Sequence, residues 1–241
     1  MKLPFHPSVA VLCGVLGLAA CSSQDQDQGG TPAPAASAQD DAAARKLDTY
    51  RQLLRIHNDE MAVTMGHDIL DHYPGSAAAK EVQQTLPAIE KRWKEEGEKR
   101  RLAGLWLYQV SPMQGGTQST ATIYSSEPAG NDRVRLVLRR HTEWGQNAFL
   151  FGSGHGFVCR GNCTIPATFD GKPHGIKAFA PSTGEPALMI RDDKDFIARL
   201  EKARKITMEV TRVDGEKKET LVYEVGGFDP SKWQALPKKK K

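Results

Sequence analysis

The sequence predicts an α+β protein, an N-terminal helical hairpin followed by an antiparallel β-sandwich or partly closed barrel with one helix. Three observations carry this expectation. Apolar residues recur three and four apart between residues 42 and 102, the period falls to two after Gly104, and turn signals then divide the chain into short apolar runs as far as residue 225. The 241 residues are 39% hydrophobic and 26% charged, enough for one large core. Those proportions exclude general disorder, a collagen-like chain and a disulfide miniprotein. A multi-pass membrane protein is excluded as well, because only one stretch near the N-terminus lacks charge for long.

That stretch is Val9 to Ala20, preceded by Lys2. It is shorter than the roughly 20 apolar residues that span a bilayer, so residues 1–20 read as a signal peptide. It ends in Leu18-Ala19-Ala20-Cys21, which resembles the lipobox of bacterial lipoproteins. The resemblance implies cleavage before Cys21, a diacylglycerol on its thiol and palmitate-type acylation. Ser22 and Ser23 follow, and with no Asp at the second position the family's sorting rule implies an outer-membrane anchor facing the periplasm. The alternative is an ordinary secretory signal with a chance cysteine. Residues 21–41, rich in Gln, Asp, Gly, Pro, Ala and Ser, read as a flexible tether; extended, twenty residues reach about 70 Å.

The formal net charge is +4; removing residues 1–20 takes away Lys2 and leaves +3, of which Lys238–Lys241 supply +4, so the body sums to −1. No nucleic-acid groove is expected on a nearly neutral body. The basic tail, 237–241, reads as a solvated end or a contact for anionic lipid or murein.

Residues 42–103 read as two helices. Leu47, Tyr50, Leu54, Met61, Met65 and Ile69 mark one stripe, with His57 on it. Tyr73-Pro74-Gly75-Ser76 breaks the pattern, and Ser76 is placed to cap the second helix. Ala79, Val82, Leu86, Ile89 and Trp93 then form a coiled-coil-like seam, interrupted by Pro87. Ile69 to Ser76 resembles the inter-repeat turn of tetratricopeptide-like lipoproteins; without a second copy the segment reads as a hairpin. His57, His67 and His72 read as surface or interface histidines.

Residues 104–236 read as the antiparallel β-domain. Strands are expected at 105–110, 120–125, 134–139, 146–151, 165–170, 175–180, 187–190, 206–210 and 221–225. Asp170-Gly171 and Asp214-Gly215 mark hairpin turns, and Asp192 or Asp193 caps a helix through Phe196, Ile197 and Leu200. In the third run Val134, Leu136 and Leu138 share one face while Arg135 and Arg139 share the other.

The chemistry-bearing residues are few. Cys159-Arg160-Gly161-Asn162-Cys163 leaves an even pair of cysteines once Cys13 is cleaved and Cys21 acylated, and an oxidising compartment favours a disulfide. Closing so small a loop contributes about 2 kcal/mol. The alternative is zinc held by His155, Cys159, Cys163 and His174. Gly152-Ser153-Gly154-His155-Gly156 lacks the glycine that a nucleophile elbow requires, since Phe151 occupies its place. Asp192, Asp193 and Asp195 read as a helix cap and a solvated face. No catalytic residue, metal site or cofactor is expected. Arg139, Arg140 and His141, beside Glu143 and Trp144, read either as a charged strand end with local ion pairs or as a candidate anion-binding rim, and Arg160 and Asn162 as a candidate partner-binding loop.

Trp106 with Ser111, the Val134–Arg139 strand, Phe169-Asp170, the Phe196-Ile197…Leu200 helix and the closing Tyr223 to Phe228 resemble the VasI-like periplasmic proteins associated with type VI secretion. Arg140-His141 stand where that family has a cysteine. The resemblance implies the fold more than an activity; with no pair of catalytic groups in the sequence, the expected role is a non-enzymatic β-domain that binds a secretion-apparatus or envelope-assembly protein in the periplasm. An immunity lipoprotein that inhibits a periplasmic toxin is the alternative, and a hydrolase of unknown substrate the third.

Overall fold

The alanine-rich run around Ala42–Ala44 and the seam at Ala79–Ile89 have the composition and spacing of packed helices, and that is what they form. The computed structural model describes residues 35–237, with side chains from Ala38 onward. The expected signal peptide, Cys21, the tether up to residue 34 and Lys238–Lys241 lie outside the described residues.

Three helices precede the sheet where two were expected: α1 (Ala35–Arg55), α2 (Asp59–His72) and α3 (Ala77–Gly104). The additional break falls at Ile56–Asn58. His57 adopts a φ of 55°, and the Asn58 N–H donates back to the Leu53 carbonyl at 2.9 Å. Asn58 Oδ1 then accepts from the Met61 N–H at 3.2 Å, capping α2 above Asp59 and Glu60 in its first turn. The break re-phases the stripe. Leu47, Tyr50 and Ile69 stay buried, but Met61 is 56% exposed and Ala62 and Val63 are buried in its stead. Helix α1 starts at Ala35, ahead of the boundary expected at residue 42, because the preceding alanines extend it. At the second turn Ser76 Oγ accepts from the Ala79 N–H at 3.1 Å, as the sequence implied. Helix α3 continues through Pro87 and buries Val82, Leu86 and Ile89 in the core of the bundle.

The β-region forms one nine-stranded antiparallel sheet in the order β1-β2-β3-β4-β7-β6-β5-β8-β9. Its strands are β1 (Trp106–Met113), β2 (Gly116–Tyr124), β3 (Arg135–His141), β4 (Gly145–Phe151), β5 (Asn162–Phe169), β6 (Lys172–Phe179), β7 (Ala187–Ile190), β8 (Ile206–Thr211) and β9 (Lys218–Tyr223). Helix α4 (Asp193–Leu200) lies between β7 and β8. Asp192 occupies its N-cap position, but neither Asp192 nor another side chain makes a capping bond there. Asp170 and Gly171 both take positive φ in the β5–β6 hairpin, at 49° and 79°, and Gly215 does so at 74° between β8 and β9.

Short strand β7 joins the two halves of the sheet, pairing Ala187–Ile190 with β4 but only Met189 and Ile190 with β6. Both halves bury their inner residues in a single cluster, so the sheet curls around one core. It does not close: β1 and β9 are its two edges, and on its outer side β9 is met by the segment after β2, where Glu127 bridges Val222. Phe196, Ile197 and Leu200 of α4 and Trp233 of the C-terminal segment complete the core.

The bundle and the sheet have separate cores, joined by the end of α3. Leu102 is buried there, and Gly227 passes so close that a Cβ on it would lie 2.2 Å from the Leu102 carbonyl carbon. Only glycine permits that approach. Arg101 pins the junction by donating to Glu98 at 2.7 Å and to Glu224 at 2.6 Å. No helix among the described residues is long and apolar enough to cross a membrane.

Candidate functional site

Alternation along β1–β4 sends one set of side chains inward to the core and leaves a second set on the outer face. The register aligns the outer set into rungs. Leu107, Thr122, Val137, Phe149 and Met189 make a central rung across β1, β2, β3, β4 and β7. On one side of it run Tyr124, Arg135, Phe151 and Ala187; on the other run Gln109, Thr120, Arg139 and Asn147. All of these but Asn147 line an open groove of about 560 Å³. Val137 is its floor at 7% exposure, whereas Leu107 at 61% and Tyr124 at 44% rise from its margin.

The groove is apolar in the middle and cationic at both ends. The Arg135 guanidinium stacks on Phe151 at 4.7 Å, and Arg133 stacks on Tyr124 at 4.6 Å at the same end. At the other end Arg139 lies 5.0 Å from the Phe149 ring and 5.1 Å from Trp144, with its Nε donating to Asn147 Oδ1 at 2.9 Å. Stacking holds the guanidinium plane while leaving its edge donors available to a carboxylate. Neither Arg135 nor Arg139 makes an ion pair with a carboxylate among the described residues. Burial pulls the Arg139 pKa below the usual arginine value, partly offset by Glu185 at the rim. Glu185 Oε2 in turn accepts from the Thr183 hydroxyl at 3.1 Å.

The expected rim is divided by the structure. Arg139 enters the groove. His141 is 3% exposed and acts on the groove indirectly. Its Nδ1 accepts from the Glu143 and Trp144 N–H groups at 3.1 and 3.3 Å, and its Nε2 lies 2.9 Å from the Met113 carbonyl. That pattern assigns the proton to Nε2. The imidazole stacks on Trp144 at 3.9 Å, fixing the β3–β4 turn against Arg139. Arg140 points the other way, as strand alternation requires. Its guanidinium lies 3.7 Å from the Trp233 ring, and its Nη1 donates to the Trp233 carbonyl at 2.5 Å. Arg140 clamps the C-terminal segment and belongs to no rim with Arg139.

The cysteine loop lies elsewhere. Cys159 and Cys163 form a disulfide packed against the edge of the sheet core. Both sulfurs are bonded to each other, so neither is a thiolate ligand, and the two histidines weighed with them face other partners. His155 Nδ1 contacts Asp214 at 2.5 Å, and His174 lies 3.5 Å from Asp195. Asp214 raises the His155 pKa above its ordinary value, mainly through their side-chain hydrogen bond. Arg160 is exposed, and Asn162 Oδ1 accepts from Arg191 at 2.5 Å. The segment leading into the loop is fastened at the end of β8 and just beyond it: the Val158 N–H donates to the Thr211 carbonyl and the Val213 N–H to the Gly156 carbonyl, at 2.8 and 3.1 Å. Asp195 is engaged by Arg199 and Asp193 by Gln146, at 2.7 and 3.1 Å. Among the described residues no group of three or more His, Cys, Asp or Glu is placed to hold a metal ion.

Arg135, Tyr124, Phe149 and Phe151 carry the groove, yet sequence reasoning did not assign them to a site. Their signal was present. Arg135 and Arg139 share the outer face, and the 146–151 run places Phe149 and Phe151 where a solvated strand would carry polar residues. Comparison of the chain with family models, curated proteins and solved structures returns no match in any of the three.

Proposed function

We propose that this protein is a lipid-anchored envelope lipoprotein whose β-domain binds another periplasmic protein without catalysing a reaction. One observation carries the binding role: a groove with an apolar floor, rimmed by aromatic side chains and two stacked arginines that make no ion pair with a carboxylate among the described residues. Half-buried aromatic and arginine side chains are the types that dominate binding energy at protein interfaces. The resemblance of Leu18-Ala19-Ala20-Cys21 to a lipobox, and that of the β-region to VasI-like periplasmic proteins, support the outer-membrane address and the assembly role. The immunity alternative looks to a loop projecting into a partner's cleft; the segment that leads into the disulfide loop, residues 156–158, is instead hydrogen-bonded to the chain at Thr211 and Val213.

In-cell photocrosslinking tests this reading. A photoreactive residue at Thr122, in the groove, is expected to yield a discrete protein adduct that the same probe at Lys194 of α4 does not. Equal adducts at both positions, or none at Thr122, contradict it. Cys21→Ser tests the anchor separately: continued fatty-acid labelling and outer-membrane sedimentation contradict lipidation at Cys21.

A further inference from the structure

The spacing of the groove specifies the chemistry of its occupant. Arg135, Val137 and Arg139 stand two residues apart on the outer face of β3, so the two arginines are separated by about 13 Å along the strand. An extended chain laid along β3 presents every second side chain at the same rise. Its residues i, i+2 and i+4 then meet Arg135, the Val137–Phe149–Leu107 floor and Arg139 in turn. We propose that the groove takes an extended acidic segment of a partner protein, with one carboxylate on Arg135, an apolar side chain on the floor and a second carboxylate on Arg139. The inference rests on the protein-binding reading and adds the sequence class of the partner segment.

Charge complementarity selects this occupant. Each guanidinium is already stacked on an aromatic face, which leaves its edge for a forked carboxylate, and neither has such a partner within the described chain. The apolar rung between them accepts a leucine- or valine-sized side chain, which a uniformly acidic segment cannot supply. Thr120 and Thr122 and the Gln109 and Gln118 amides give polar lining beside that path. Glu185 lines the groove and acts electrostatically on Arg139, so it opposes the second carboxylate, and its removal is expected to tighten binding.

The test uses the full chain purified in detergent and a fluorescein-labelled nine-residue peptide whose centre reads glutamate, threonine, leucine, threonine, glutamate. Anisotropy is expected to show saturable binding that weakens with added salt. Arg135→Gln and Arg139→Gln should each raise Kd about tenfold or more, the scale for losing a charge-assisted pair. Glu185→Gln should lower it, and replacing the central leucine by serine should raise it. An unchanged thermal midpoint in both arginine variants shows that they remain folded. The double charge reversal Arg135→Glu with Arg139→Glu is expected to switch preference to the same peptide with lysines in place of glutamates. Equal binding of the glutamate and lysine peptides, or indifference to both arginine substitutions, overturns the proposal. Binding of phosphatidylglycerol vesicles through the two arginines, with no binding of the peptide, overturns it as well. A protein adduct at Thr122 without peptide binding would refute this inference alone and leave the protein-binding reading standing.

Discussion

Replacing Arg140 by alanine should destabilise the β-domain without touching the groove. The Arg140 guanidinium lies 3.7 Å from the Trp233 ring and donates to the Trp233 carbonyl at 2.5 Å. Trp233 is 2% exposed, its Nε1 donates to the Ser119 carbonyl at 3.1 Å, and its ring meets Phe228 edge-on at 6.2 Å. A partly desolvated cation–π contact contributes about 1–2 kcal/mol, and a hydrogen bond from a charged donor about 1.5–3 kcal/mol. Because the guanidinium is only partly buried, the lower ends apply, and the expected loss is about 2–3 kcal/mol. Urea unfolding of the full chain gives the loss. A double-mutant cycle with Trp233→Ala isolates the pairwise part, expected at about 1 kcal/mol or more. A change below about 0.5 kcal/mol with no coupling would refute the clamp, because surface arginines away from such features fall in that range. Peptide binding in the groove should stay the same in Arg140→Ala, the reverse of the pattern expected for Arg139→Gln.

Tyr223→Phe should leave the midpoint of unfolding unchanged or raise it, since the Tyr223 hydroxyl is buried with no hydrogen-bond partner among the described residues; a loss above about 1 kcal/mol would show that it has one. His155 should titrate above its ordinary value of about 6.5, because the Asp214 hydrogen bond favours the imidazolium. Its raised pKa gives a contribution that is full below the unfolded value and lost as pH rises through the folded one, while the lowered pKa of Asp214 gives one lost as pH falls through its folded value. The β4–β5 loop should therefore resist proteolysis best between about pH 4 and 6.5 and loosen above; an NMR midpoint for His155 below about 6.5 contradicts this.

The sheet was legible because each strand carries its own period-two pattern and each hairpin its own turn chemistry. All nine strands and the Asp170-Gly171 and Asp214-Gly215 turns lie where the alternation put them. The break at Ile56–Asn58 was not legible, because the stripe from Leu47 to Ile69 continues across it in nearly helical phase. The cue was Asn58 ahead of Asp59 and Glu60, a cap with an acidic first turn hidden inside an apolar pattern. The candidate site was half legible. Arg139 and His141 were singled out as neighbours in sequence, but strand alternation sends Arg140 to the far side and joins Arg139 instead to Arg135, Phe149 and Phe151. Those contacts follow from register between strands, and register depends on hairpin geometry that no single run of residues specifies. The disulfide was readable from the count and spacing of the cysteines, and the structure contains it.

Hydrogen–deuterium exchange on the full chain, free and bound to the partner captured at Thr122, tests the central claim most directly. The outer rungs of β1–β4 and β7 should gain protection, strongest in the segments carrying Thr122, Val137 and Phe149. Protection concentrated in residues 152–163, with the groove strands unchanged, would contradict the claim and place the binding surface on the disulfide loop.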